Sequence, residues 1–196
     1  ILFLMFGAGF TCISQEKNVK CQGRFRWDVK IMTDSAARDI SFTSIGDSGF
    51  DQLVSVMPPK RMSMLSGKDA RLSRFPDEKR LVKVIAYIEK IKVMGDRDLH
   101  INMRSPHSCS RMVAEVPDPD CSQLDGFPVL GDLYKAVRKQ CEHVKMLLKK
   151  TEKPVLAEIT GVPFWDAPHW WLKGSCKTGR ELHPVVEIRV IEEKAK

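Results

Sequence analysis

Residues 81–116, LVKVIAYIEKIKVMGDRDLHINMRSPHSCSRMVAEV, decide the fold of this chain. They open with 81–93, a run rich in β-branched residues that is too long for a flat strand and ends at the turn MGDRD. In 99–104 apolar residues alternate with polar ones, and 111–116 is a third apolar run that stops at Pro-Asp-Pro. Such alternation is typical of a half-buried strand, and proline cannot donate a ladder hydrogen bond. The stretch therefore predicts three consecutive strands, the first of them long and bent.

A helix and two further strands are predicted after this stretch. One apolar stripe recurs every three or four residues, which is the period of a helix, and Asp132 is its candidate N-cap. The stripe consists of Leu133, Val137, Cys141, Val144 and Leu148. Residues 155–166 and 183–192 then have the composition of strands. The OB-fold, a five-stranded Greek-key barrel, has this order, with its helix between strands three and four. We therefore predict a mainly β, OB-fold-like barrel with one helix over residues 81–196, and a small mixed α+β sheet is the alternative.

Residues 15–80 read as an N-terminal extension of the barrel. Within 24–31, RFRWDVKI supplies apolar residues that alternate with Arg26, Asp28 and Lys30, which predicts a short strand. Residues 66–80, SGKDARLSRFPDEKR, are polar, basic and rich in turn residues. We expect this second segment to run over the surface.

Residues 1–14 have the pattern of a signal peptide. Residues 1–10 are uncharged and almost wholly apolar, but they are too few to span a bilayer, which takes about 20 residues. Small residues at Cys12 and Ser14 suit cleavage before Gln15. No Met or basic segment precedes the run, so we expect a signal peptide truncated at its start. The alternative is that residues 1–14 form a buried N-terminal strand. From the signal-peptide pattern we predict a periplasmic or secreted protein that does not span the membrane.

Export determines how the cysteines are interpreted. Cleavage before Gln15 would leave Cys21, Cys109, Cys121, Cys141 and Cys176. Their spacing matches no structural zinc motif, and an oxidising compartment favours disulfides. Cys109 and Cys121 flank one short strand and Cys141 lies on the helix, so we expect pairing among these three rather than with Cys21. The pair that forms stays open.

Five phrases of the sequence carry a family resemblance. They are GRFRWDVKIMTD, GDRDLHINM, RMVAEVPDPDC, ITGVPFWDAPHW and ELHPVVEI, spread over residues 23–191. The chain resembles a family of uncharacterised exported bacterial OB-fold-like proteins, whose closing phrase is of the type ITGVxFFDxxH…ELHPVxxI. Pro163, Trp165 and Cys176 depart from that pattern. The resemblance implies an OB-fold and export, and it implies no activity.

Two candidate sites follow from the residues themselves. The first is a polar cluster in which Glu181 and His183, two apart on a strand, face the same way, with Asp166 and His169 on the preceding loop. Two imidazoles and two carboxylates suit zinc binding or acid–base catalysis, but polar groups at a barrel corner more often brace a turn. We favour the structural role, with His100 as a further candidate member that also suits the surface.

The second candidate site is a binding face on strands two and three of the barrel. OB barrels bind oligonucleotides and oligosaccharides there, using aromatic platforms and basic groups. The candidates are His100, Asn102, Arg104, Arg111, Trp170 and Trp171, whereas Trp165 is expected in the core. A net charge of +7 favours an anionic partner, an anionic glycan or a nucleic acid.

Other chemistries have little support in the sequence. The chain contains no GxSxG elbow, no GxxxxGK[ST] loop and no strand–GxGxxG–helix element. A thermonuclease-like site would draw on Arg104, Arg111, Glu115 and Asp118, but their order does not reproduce the required arrangement. We therefore expect an exported, non-catalytic OB-fold-like binding domain without a cofactor. The alternative is a metal-assisted or nuclease-like hydrolase that uses the polar cluster.

Overall fold

A computed structural model describes residue 21 and residues 25–59, 73–166 and 178–192. These residues form three α-helices and six β-strands. The helices are α1 (Trp27–Lys30), α2 (Phe50–Ser55) and α3 (Pro128–Thr151). The strands are β1 (Ile45–Asp47), β2 (Leu81–Val93), β3 (Leu99–Arg104), β4 (Arg111–Val116), β5 (Val155–Trp165) and β6 (Arg180–Val190).

Five of the strands close into a barrel, and the long strand β2 makes the closure. Its residues 82–88 pair antiparallel with β5, and its residues 87–93 pair antiparallel with β3, with a register shift between Ile88 and Lys90. The sheet continues from β3 to β4, β6 and β5, with β4 and β6 parallel. The short strand β1 adds to β2 in parallel. The predicted β-barrel with a long, shared first strand is therefore confirmed.

The predicted number and position of the helices are wrong. The structure has three α-helices rather than one, and the long helix follows β4 instead of lying between strands three and four, because β1 precedes the strands that the sequence predicts. The long helix also begins four residues before Asp132, at Pro128. Proline suits the first turn of a helix, since the amide hydrogen that it lacks has no helical acceptor there.

One continuous core fills the barrel and extends under α3. Strand β3 contributes Leu99, Ile101 and Met103, as its alternation predicts. Helix α3 contributes four buried side chains. Three of them, Val137, Cys141 and Val144, belong to the apolar stripe, and the fourth, Tyr134, lies beside it. The stripe predicted Val137, Cys141 and Val144, and Tyr134 was missed. The helix therefore packs on the barrel through the face that its sequence period indicates.

The N-terminal segment packs on the barrel in a form that the sequence did not predict. Residues 27–30 are a helical turn rather than a strand, and both Arg26 and Lys30 are buried with the apolar residues between them. The alternation was misleading, because these two cations pair with buried carboxylates instead of facing solvent. Arg74 and Glu78, predicted at the surface, are buried too. Arg26 donates a 2.7 Å hydrogen bond to Glu78, so the two parts of the extension are tied together.

A disulfide joins Cys21 to Cys121, with Cα atoms 5.4 Å apart. The expectation of local pairing among Cys109, Cys121 and Cys141 is therefore wrong. Cys141 lies on the core face of α3, and Cys109 is exposed in the loop between β3 and β4. Packing of the N-terminal segment brings Cys21 across the barrel, where its carbonyl accepts a 3.3 Å hydrogen bond from Gln123. Cys176 lies outside the described residues.

None of the helices in the described ranges is long and apolar enough to cross a bilayer.

Candidate functional site

Three strands bring charged side chains together on the side of the barrel wall opposite the core. Leu182 of β6 and Ala114 of β4 are register partners and both belong to the core. Because side chains alternate along a strand, Glu181 and His183 lie on the other side of β6 from Leu182. Glu115 takes the equivalent side of β4, and its Oε2 lies 2.7 Å from His183 Nδ1. All three are buried.

Strand β3 supplies two more members from the same side of the wall. Asp98 immediately precedes β3, and its Oδ2 lies 3.4 Å from His183 Nε2. His100 pairs in register with Glu115, and its Nε2 contacts the second oxygen of that carboxylate. The imidazole of His183 therefore lies between the Asp98 and Glu115 carboxylates, while His100 lies at the edge of the group.

Helix α1 covers these carboxylates with one buried ammonium group. Lys30 Nζ lies 3.4 Å from Asp166 Oδ2 and 3.7 Å from both Glu115 Oε2 and Glu181 Oε1. It also lies 5.3 Å from the centre of the Phe164 ring, which favours a cation. We refer to the whole set as the buried charged cluster. It consists of Lys30, Asp98, His100, Glu115, Asp166, Glu181 and His183.

Burial and mutual charge shift the pKa values of the cluster in different directions. Burial alone would lower the pKa of His183, but the adjacent Glu115 and Asp98 carboxylates raise it well above its ordinary value. Burial alone would raise the pKa of Glu115, but Lys30 and the two histidines hold it well below its ordinary range. Burial and the neighbouring carboxylates of Glu115 and Asp166 raise the pKa of Glu181 to about 7. The cluster therefore retains protons at neutral pH.

The structure unites some of the predicted members of the polar cluster. Asp166, Glu181 and His183 belong to the cluster, whereas His169 lies outside the described residues. Sequence reasoning missed Lys30 and Asp98 altogether. It considered Glu115 only for a nuclease-like site. For His100 it kept two positions open, one in the polar cluster and one at the surface. A signal was present, because each of the five phrases that carry the family resemblance contributes at least one member of the cluster.

The predicted binding face divides into two environments. Arg104 and Arg111 are direct register partners on β3 and β4, and both pair with Glu89 of β2. The Arg104 guanidinium lies 5.0 Å from the centre of the Tyr87 ring. Asn102 pairs in register with Val113 beside them. We refer to Tyr87, Glu89, Asn102, Arg104 and Arg111 as the arginine face. His100 belongs to the cluster instead.

Of the three tryptophans considered for the barrel, only the one expected in the core lies among the described residues. Trp165 is buried as expected, and its indole N–H donates a 3.2 Å hydrogen bond to Asp77. Trp170 and Trp171 lie outside the described residues.

The four residues considered for a thermonuclease-like site do not converge. Asp118 is buried beside Arg97, Glu115 is part of the cluster, and Arg104 and Arg111 share Glu89 on the arginine face. A nuclease site of that type needs its carboxylates and arginines around one substrate phosphate. The arrangement in this chain therefore does not support it.

Comparison with known proteins adds no assignment, because no protein-family model matches the chain and no curated protein matches it in sequence. The family resemblance drawn from the five phrases stays a prediction.

Proposed function

We propose that this chain is an exported, non-catalytic OB-fold-like domain that binds an anionic glycan through the arginine face. The OB-fold part of the proposal is supported by the strand order β2-β3-β4-β6-β5, closed by the pairing of β5 with β2. This closed order agrees with the OB topology. Function does not follow from fold alone, so the binding site is argued from its own residues.

The observation that carries the proposal is the pair of adjacent guanidinium groups on β3 and β4. Arg104 and Arg111 are 32% and 46% exposed, and the single carboxylate of Glu89 between them leaves one net positive charge. Planar guanidinium groups bind carboxylates and sulfates through paired hydrogen bonds. These two strands are the second and third of the barrel, where OB barrels hold extended polymers.

The neighbouring side chains suit a sugar rather than an isolated anion. The half-buried Tyr87 ring lies beneath the Arg104 guanidinium, so it adds apolar surface beside the charge. Asn102 lies two residues before Arg104 on β3, on the same side of the strand, and its amide can donate and accept hydrogen bonds. An aromatic surface with polar and basic neighbours matches a glycan that carries acidic groups.

The buried charged cluster supports a structural role in this proposal. Asp98 and His183 are fully enclosed, and Glu115 is 3% exposed. A hydrolase must bring a substrate bond into contact with its acid, base or metal. Among the described residues these three side chains are packed away from the surface, so contact with a polymer, and with it the hydrolase alternative, is less well supported than binding at the arginine face.

Export is supported by two features. Residues 1–14 have the composition of a signal peptide, and the disulfide between Cys21 and Cys121 suits an oxidising compartment. A periplasmic or secreted protein meets glycans and envelope polymers more readily than genomic DNA. We therefore favour an anionic glycan over a nucleic acid as the ligand.

The test measures binding of the purified protein to heparin and polygalacturonate, with dextran as a neutral polymer and single-stranded DNA as the competing class. We expect both acidic glycans to bind the wild-type protein. The double variant Arg104→Gln/Arg111→Gln should bind them about 10–100-fold more weakly, because it loses one or two charge-assisted hydrogen bonds. Arg189→Gln is the matched control, since Arg189 is an exposed arginine on β6 that pairs with Glu158.

Two outcomes would contradict the proposed function. The first is equal binding by the double variant and by the Arg189→Gln control, because the arginine face would then contribute nothing specific. The second is binding of DNA at concentrations where neither glycan binds, because the ligand class would then be a nucleic acid.

A further inference from the structure

We propose that Asp98, Glu115 and His183 form a binding site for one divalent transition-metal ion, with Zn²⁺ as the best match. This site lies in the buried charged cluster, and the inference does not depend on the arginine face or on its ligand. The ion would stabilise the barrel wall and would not act on a substrate.

Glu115 lies on β4, His183 lies on β6, and Asp98 immediately precedes β3, so the backbone of three neighbouring strands holds the ligands in place. One carboxylate oxygen of Asp98, one of Glu115 and one ring nitrogen of His183 lie within 4.8 Å of one another. The ligand atoms of a tetrahedral zinc ion with bonds of about 2.0–2.2 Å lie roughly 3.3–3.6 Å apart. Asp98 and Glu115 contact opposite ring nitrogens of His183, so one of the three side chains must turn for a single ring nitrogen and both carboxylates to bind one ion.

The same atoms are buried without aligned hydrogen bonds. Within the part of the chain that the structure describes, Asp98 Oδ2, Glu115 Oε2 and both ring nitrogens of His183 have no hydrogen-bond partner of acceptable geometry. His183 Nδ1 lies 2.7 Å from Glu115 Oε2, but the two groups are not aligned as donor and acceptor. Buried polar atoms are nearly always satisfied, so atoms that make only misaligned ion-pair contacts with one another indicate a further partner among them. A cation satisfies all three groups at once.

The charge of the cluster also favours a cation at this point. The cluster sets the four carboxylates of Asp98, Glu115, Asp166 and Glu181 beside one lysine, Lys30, and two histidines, His100 and His183, so its acidic groups outnumber its basic ones. Lys30 would keep its contacts with Asp166 and Glu181 when Glu115 turns toward a metal ion. A divalent ion bound to neutral His183 would supply more positive charge than the proton that it replaces.

The donor set distinguishes among metals. One imidazole and two carboxylates suit Zn²⁺ or Mn²⁺, whereas Mg²⁺ and Ca²⁺ prefer sites made of oxygen alone. Zn²⁺ generally binds such a site more tightly than Mn²⁺. Because Asp98 and His183 are fully enclosed, we expect the bound ion to exchange slowly with solvent. The ion would enter and leave past Lys30 and Asp166, whose side chains are 10% exposed.

The experiment uses the full chain after removal of metal with a chelator. Zinc is added back, bound zinc is counted by mass spectrometry of the desalted protein, and the unfolding temperature is measured with zinc or with magnesium. We expect one zinc per chain and a rise in Tm of about 5–10 °C when free zinc is 100 times Kd. Magnesium at the same concentration should leave Tm unchanged.

Two substitutions assign the site. Asp98→Asn should abolish both the stoichiometric zinc and the rise in Tm. His143→Gln is the control for zinc held at the surface, since His143 is an exposed histidine on α3, and it should retain both. If Asp98→Asn does not fold, the Co²⁺-loaded wild-type protein gives an independent result, because its X-ray absorption should show only nitrogen or oxygen ligands together with the outer-shell scattering of a single imidazole.

The inference fails if the wild-type protein binds no zinc, if His143→Gln abolishes binding, or if Asp98→Asn retains it. These results are distinct from failure of the proposed function, because Arg104→Gln/Arg111→Gln should bind zinc like the wild-type protein whether or not it binds a glycan.

Discussion

Replacement of Lys30 by methionine should destabilise the protein strongly, because it removes the one ammonium group that three buried carboxylates share. The carboxylate oxygens of Asp166, Glu115 and Glu181 lie 3.4–3.7 Å from Nζ. At an effective dielectric constant of about 20, each contact is worth roughly 4 kcal/mol before the cost of desolvation. Breaking a buried ion pair from one side costs about 3–5 kcal/mol net. For a chain of this size the expected loss is about 6–20 °C in Tm.

The matched control is Lys83→Met, because Lys83 also contacts two carboxylates. Its Nζ lies 3.3 Å from Asp47 and 3.8 Å from Glu158, but its side chain is 32% exposed. Exposed pairs contribute at most about 1 kcal/mol. Unfolding in urea at pH 8 and at pH 5 measures both variants, and the cost of Lys30→Met should be smaller at pH 5, where Glu181 takes up a proton. A cost no larger than that of Lys83→Met, or one independent of pH, would refute the reasoning.

Three further predictions concern pH, the disulfide and export. The raised pKa values of His183 and Glu181, the latter about 7, mean that the folded, metal-free protein binds more protons than the unfolded chain. Its free energy of unfolding should therefore fall by about 1.4 kcal/mol per pH unit for each extra proton as pH rises from 5 to 9, and Tm should fall with it. A flat or rising Tm in calorimetry over this range would contradict that assignment. Reduction of the disulfide between Cys21 and Cys121, which are 100 residues apart, should cost about 4–5 kcal/mol in the chain-entropy model and lower Tm by roughly 10–20 °C. Thermal unfolding with and without a reductant measures this loss of stability. As the control, Cys21→Ser should unfold at the same temperature in both buffers. Finally, N-terminal sequencing of protein expressed with its native leader should find a start near Gln15 outside the cytoplasm, and an uncleaved cytoplasmic form would argue against export.

The barrel could be predicted because its strands follow local rules. Apolar and polar residues alternate in 99–104, and the run 81–93 is long enough for one strand to pair with two neighbours. Each of these signals is contained within a few consecutive residues. The pairing of β4 with β6 has no such local signal, because the two strands are more than 60 residues apart in the chain and meet through only two register pairs.

The candidate site was only partly predictable, since its members gain their roles from distant partners. Lys30 follows the alternation that predicts an exposed strand position, and only the fold shows that it covers Glu115 and Asp166. The pairing of Cys21 with Cys121 depends in the same way on where the N-terminal segment packs. Rules based on neighbours in sequence assign charged residues to the surface, because burial of a charge is unfavourable until its partners are known.

Nuclear magnetic resonance offers the most direct test of the proposed binding domain. The backbone amide signals of the ¹⁵N-labelled protein would be followed during titration with a heparin-derived oligosaccharide, at moderate salt concentration so that weak, non-specific charge contacts are screened. We predict saturable shifts centred on Tyr87, Asn102, Arg104 and Arg111, with the amides of α3 unaffected. Shifts that centre elsewhere, or that grow without saturation over the whole surface, would contradict binding at the arginine face.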